Sequence, residues 1–176
     1  MKKELNQQKG FTIIESLVAI TILVVAVTGA MSAVQTGISS YTYSKDQIIA
    51  SYLAQEGFEQ LKNLRDENAL NGANWLAGIS EVGADPCYFG KACTVSPFET
   101  TDTIACSSPG ACPYIYQDQT DGIYGYNLSW GPTQFRREIV LTSINADEIS
   151  VAVTIYWSKG SANREFRVRE NILNWQ

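Results

Sequence analysis

Residues 16–34 carry no charged side chain, and Glu15 is the only charge between Lys9 and Lys45. About 20 apolar residues rising 1.5 Å each span a ~30 Å hydrocarbon core, so this run predicts a membrane-crossing helix. Beyond it, Ile38, Tyr41, Ile49, Leu53, Leu61 and Leu64 fall largely three or four residues apart or at multiples of that spacing. Lys45, Glu56, Glu59 and Lys62 are distributed around them, and no proline intervenes before Pro86. The pattern predicts one helix over residues 12–67, its first half in an apolar medium and its second half packed on a domain. Gly29 and Gly37 are its weak points, because Gly lowers helix stability by about 1 kcal/mol relative to Ala.

Between residues 71 and 126 the pattern shifts to Gly, Pro, Asp and aromatic residues without a sustained period, which reads as a long loop excursion. Such excursions are usually functional or disordered. The remaining chain alternates. Residues 135–142, 148–157 and 164–173 read as three strands, with Asn145-Ala146-Asp147 and Lys159-Gly160-Ser161 as hairpin turns. Ile149, Val151, Val153, Ile155 and Trp157 are expected to face inward, with Ser150, Ala152, Thr154 and Tyr156 on the other face. Arg164, Arg167 and Arg169, alternating with Glu165 and Glu170, read as a charged edge strand guarded against aggregation, with a subunit contact surface as the alternative. The fold class is therefore α+β, a long N-terminal helix on a C-terminal antiparallel sheet.

Glu15 needs a reason to stand at the mouth of the apolar run. An acidic residue near the middle of a membrane helix costs about 2.5–3.5 kcal/mol, less near the interface, so such a carboxylate reads as functional and calls for a cationic partner. Two simpler readings compete. A secretory signal with Lys2 and Lys3 as its basic end and Ala30-Met31-Ser32-Ala33 as its cleavage region fits poorly, because the apolar run exceeds the usual core of such signals and contains Glu15. A plain anchor leaves Gly10 and Glu15 unexplained.

The short basic leader, Gly10, then Phe11-Thr12-Ile13-Ile14-Glu15 and a hydrophobic helix closely resemble the processing site of type IV pilins and type II secretion pseudopilins. The resemblance covers roughly residues 1–64. It implies that a prepilin peptidase cuts the Gly10–Phe11 bond and methylates the new amine of Phe11, and that Glu15 serves assembly. It also implies that the helix can melt locally on assembly, expected here over residues 29–37. Phe11 and Glu15 are four apart and would share a helical face, where a protonated amine offsets the carboxylate. At about 4 Å and an effective dielectric near 20, such a pair is worth about 4 kcal/mol before desolvation is subtracted, comparable to the insertion cost. If the amine of one subunit meets Glu15 of another, the same energetics set the register of a helical polymer.

The implied organisation is a leader over residues 1–10, a transmembrane and assembly helix over 11–34, an amphipathic continuation over 35–70, a cysteine-containing variable loop region over 71–134 and an antiparallel sheet over 135–176. The implied partners are other pilin or pseudopilin subunits, the prepilin peptidase, an inner-membrane assembly platform and membrane lipid. Within this class the chain is expected to be a minor pilin, because the cysteine-rich excursion is unlike a compact repeating surface. The alternatives are a minor pseudopilin of a type II secretion or competence pseudopilus, or an adhesin that the filament displays.

Charge and cysteines bear on compartment. The 176 residues carry a formal charge of −5, and removing a leader with Lys2, Lys3 and Lys9 against Glu4, net +2, leaves −7. No basic patch favours direct nucleic-acid binding. Lys2, Lys3 and Lys9 are expected to stay cytoplasmic and everything after Val34 to lie outside, first as a single-pass protein of the cytoplasmic membrane and then in an extracellular filament. Five residues separate Cys87 from Cys93 and Cys106 from Cys112, and four exported cysteines read as two disulfides. Three connectivities remain open. The local pairing would close two short loops, each constraining the unfolded chain by about 2.4 kcal/mol in the entropy model. The chain has no His, which disfavours zinc, Ser-His-Asp and Cys-His chemistry alike, and no Gly-rich phosphate loop is present. No cofactor or metal is expected: Asp118 and Asp121 before Gly122 only faintly resemble a calcium loop, and Asp85, Glu99, Asp102 and Asp118 read as solvated loop charges rather than a catalytic pair.

Overall fold

The computed structural model describes residues 10–96 and 103–174. Lys2, Lys3, Glu4 and Lys9 of the leader, and Glu99 and Asp102, lie outside the described residues. Helix α1 (Ile13–Leu70) is continuous through Gly29 and Gly37. Both ends carry stop signals in the sequence. Thr12 caps the first turn, its hydroxyl accepting the Glu15 amide at 3.3 Å. Gly72, at φ +68°, ends the last turn in a Schellman arrangement in which the Gly72 amide bonds Ala69 O and the Ala73 amide bonds Asn68 O.

The chain divides into two compact units, residues 1–45 and 46–176. In the first, Ile13, Leu17, Ile20 and Val24 are all more than half exposed. Its most apolar stretch has a mean hydropathy of 2.5, and α1 is long and apolar enough to cross a membrane. The second unit contains a single hydrophobic core. Ala50, Leu53, Ala54, Phe58 and Leu61 enter it from α1 at three- and four-residue spacing, and Ile49 and Leu64 pack at its margin. Ile38 and Tyr41, expected on this face, are instead exposed, because they precede the residue at which the second unit begins.

The sheet has seven strands: β1 (Ala92–Val95), β2 (Thr103–Ala105), β3 (Tyr114–Gln117), β4 (Tyr124–Gly125), β5 (Gly131–Asn145), β6 (Glu148–Lys159) and β7 (Ala162–Leu173). All pairings are antiparallel. Strand β5 is the spine: it pairs with β6 along one edge and with β3 and then β1 along the other. The expected hairpins form, since Asn145 faces Glu148 and Lys159 faces Ala162 across two-residue turns.

Two expectations change. The stretch from 71 to 126, read as aperiodic loop, supplies β1 to β4, whose two to four residues are too short to display a period. Along β6 the inward set is buried as expected, but Ala152 and Thr154 on the opposite face are also buried. That face is not open to water at its centre: Glu138, in register with Thr154, accepts a hydrogen bond from the amide of Gly110 in the cysteine-stapled segment. Strand β7 pairs only with β6 and is mostly exposed, so the charged strand is an edge.

Candidate processing and assembly site

Gly10 and Phe11 precede α1, with Phe11 79 % exposed. Thr12 is non-helical and its carbonyl already accepts the Ser16 amide at 3.1 Å, while Glu15 stands at the third helical position. The Thr-x-x-Glu spacing is thus that of a capping box, and its carboxylate sits where the helix dipole is positive. This corrects the i, i+4 argument: in the uncut chain Phe11 lies outside the helix, so helical spacing does not bring its backbone nitrogen to Glu15. Glu15 is exposed and makes no ion pair among the described residues. The site therefore presents a peptide bond in open, non-helical chain, one turn from an exposed carboxylate, ahead of an apolar helix.

The cysteines pair locally, Cys87 with Cys93 and Cys106 with Cys112. The first disulfide is in the core and fastens the segment before β1 to β1 itself, both residues being fully buried. The second closes the segment between β2 and β3. Among the loop carboxylates, Asp85 accepts the Val82 amide at 2.8 Å and Asp118 the Thr120 amide at 2.7 Å, so both brace turns. No group of three or more His, Cys, Asp or Glu side chains among the described residues is placed to hold a metal ion.

Arg137 was not singled out in the sequence, where it falls within the strand expected over residues 135–142. It is 2 % exposed and faces inward from β5. Its guanidinium donates to Leu53 O at 3.1 Å, Gln60 Oε1 at 3.3 Å and Val95 O at 2.6 Å, and pairs with Glu56 at 3.4 Å. It passes against Gly57, where an added Cβ would stand 3.0 Å from Arg137 Cδ. The available signal was Gly57 on the buried helical face together with Glu56 and Gln60. Burial, followed by the Glu56 charge, raises the Tyr124 phenol above its ordinary value of 10.0.

A capped, accessible Gly-Phe junction thus precedes an apolar helix long enough to cross a membrane, and that helix leads into a domain with two disulfides. Residues 5–31 match the family model of the prokaryotic N-terminal methylation motif, the hallmark of type IV pilin and pseudopilin substrates of prepilin peptidase. Proteins of this kind are structural and generally non-enzymatic, and the motif implies processing by that peptidase and assembly with other pilin subunits. No curated protein and no solved structure matches the chain.

Proposed function

We propose that this chain is a minor pilin, a structural subunit of a type IV pilus-like filament. It is cut between Gly10 and Phe11, methylated on the Phe11 amine, and held through Glu15 to the amine of another subunit. The carrying observation is the coincidence of the methylation motif over residues 5–31 with a Gly10–Phe11 bond lying just outside a capped helix. Proteolysis needs an extended, reachable bond, and a helical one would first have to unwind. Cutting there also creates a cation for Glu15, which makes no ion pair among the described residues. Before cutting, the protein crosses the cytoplasmic membrane once with residues after Val34 outside; afterwards an inner-membrane assembly platform moves it into the filament.

Intact-mass and N-terminal peptide analysis of protein recovered from its native membranes tests this reading. The expected chain begins at N-methyl Phe11. A start at Met1, or near Val34, would replace it with a plain anchor or an exported soluble domain.

A further inference from the structure

On the sheet face opposite the helix, Tyr114, Arg136, Tyr156 and Glu165 are register partners across β3, β5, β6 and β7, so their side chains form one row. Ser158 and Asn163 form the next row. These residues line a cleft of about 510 Å³, within the range of small-molecule sites. One wall is Gly110 of the segment stapled by Cys106 and Cys112. Its amide donates to the Glu138 carboxylate and its carbonyl accepts from Arg136 Nη1 at 3.4 Å. The Arg136 guanidinium lies over the Tyr114 ring, 3.9 Å from the centroid.

We propose that this cleft binds an acidic sugar, with Arg136 receiving its carboxylate. The inference goes beyond the filament role and does not rest on it. Stacking on Tyr114 fixes the plane of the guanidinium, and a fixed fork presents paired donors that match a carboxylate. Arg136 makes one hydrogen bond among the described residues, which leaves most of its donors for a ligand. Glu138, two residues along β5 on the same face, is 5 % exposed and engaged by Gly110 and by the Tyr156 hydroxyl at 3.4 Å. Glu165 ends the row on the edge strand, with Arg167 following it on the same face. A lone carboxylate would need only the arginine. The Tyr156 ring, with the Ser158 hydroxyl and Asn163 amide beside it, adds an apolar face and donors and acceptors suited to a ring bearing several hydroxyls.

The test is calorimetric titration of the full-length protein in detergent with trigalacturonic acid, beside neutral cellotriose and a Glu-rich peptide. Saturable binding of the acidic sugar is expected, with cellotriose and the peptide at least about tenfold weaker. Arg136→Gln should weaken binding by about tenfold or more, the usual consequence of losing a hydrogen bond to a charged group. Ser158→Trp, which fills the cleft without changing charge, should abolish binding, and Lys45→Gln should leave it unchanged. Thermal unfolding of each variant establishes that it is folded, and if Arg136→Gln is not, Ser158→Trp decides. Absence of saturable binding, equal affinity for cellotriose, preference for the peptide, or full affinity in the folded Arg136→Gln or Ser158→Trp protein would overturn the assignment.

Discussion

Arg137 and Lys62 both join α1 to the sheet, yet burial gives them different weight. Lys62 pairs with Glu170 at 2.5 Å while both side chains remain more than a third exposed, so water and salt screen the attraction. Arg137 is enclosed, and its removal would strand Glu56 and several acceptors without their cation. Arg137→Ala is expected to cost about 3–5 kcal/mol and Lys62→Ala at most about 1 kcal/mol, measured by denaturant unfolding of the full chain. Equal costs would show that solvent reaches Arg137. The role proposed for Glu15 lies in another equilibrium, since it makes no ion pair among the described residues. Glu15→Ala should leave membrane insertion intact or improved while impairing filament incorporation, read by membrane fractionation against recovery in sheared filaments. Normal incorporation would remove Glu15 from the assembly mechanism.

At the scale of elements, the two disulfides are not equivalent. Cys87 and Cys93 are fully buried, whereas Cys106 keeps partial exposure. Replacing Cys106 and Cys112 by Ser should cost about 2.4 kcal/mol of loop entropy, plus the burial of one hydroxyl at Cys112, which is 3 % exposed. The same change at Cys87 and Cys93 should cost about 1–3 kcal/mol more, because two hydroxyls rather than one are buried. Chemical denaturation of the two double variants checks the order, and a smaller loss from the buried pair would contradict it. Gly29 and Gly37 meet no atom within 4 Å that an added Cβ would touch. Replacing both by Ala should therefore add about 1 kcal/mol of helix stability per site. Slower amide exchange over residues 29–37 is the expected signature, and in a wild-type filament reconstruction this segment should be unwound; continuous helix there would end the melting idea. The helix and the two β5–β6–β7 hairpins were legible in advance because long elements repeat their period many times and Asn, Asp and Gly mark their turns. Strands β1 to β4 were not, since a segment as short as Tyr124–Gly125 has no period and is selected by the unpaired edges of longer strands. The motif around Gly10, Phe11 and Glu15 was legible, and the methylation motif spans residues 5–31, but the helix cap within it was missed. Thr12 was read as part of the Phe-Thr-x-x-Glu resemblance and Glu15 for its charge, although the same spacing specifies where the helix begins.

For the whole molecule, charge and redox chemistry support the proposed disposition across the membrane. Three lysines before the apolar run favour a cytoplasmic start, and two disulfides require an oxidising space after it. Glu15 is the only charge between Lys9 and Lys45, and under the proposed cut at Gly10 a subunit amine would neutralise it, so passage from bilayer to filament would exchange lipid contact for subunit contact without exposing an unpaired carboxylate. In this arrangement the apolar half of α1 is the interface, and its exposed Ile13, Leu17, Ile20 and Val24 are surface awaiting neighbours. Shearing cells of the native host should consequently release the mature chain with the filaments, at a small fraction of the principal subunit, while deletion of the prepilin peptidase should leave the uncut chain in the membrane fraction. Recovery of the cut chain only from the cell envelope, with none in sheared filaments, would move the assignment from a pilus to a secretion or competence pseudopilus. Peptidase-independent release would break the link between the Gly10–Phe11 bond and assembly.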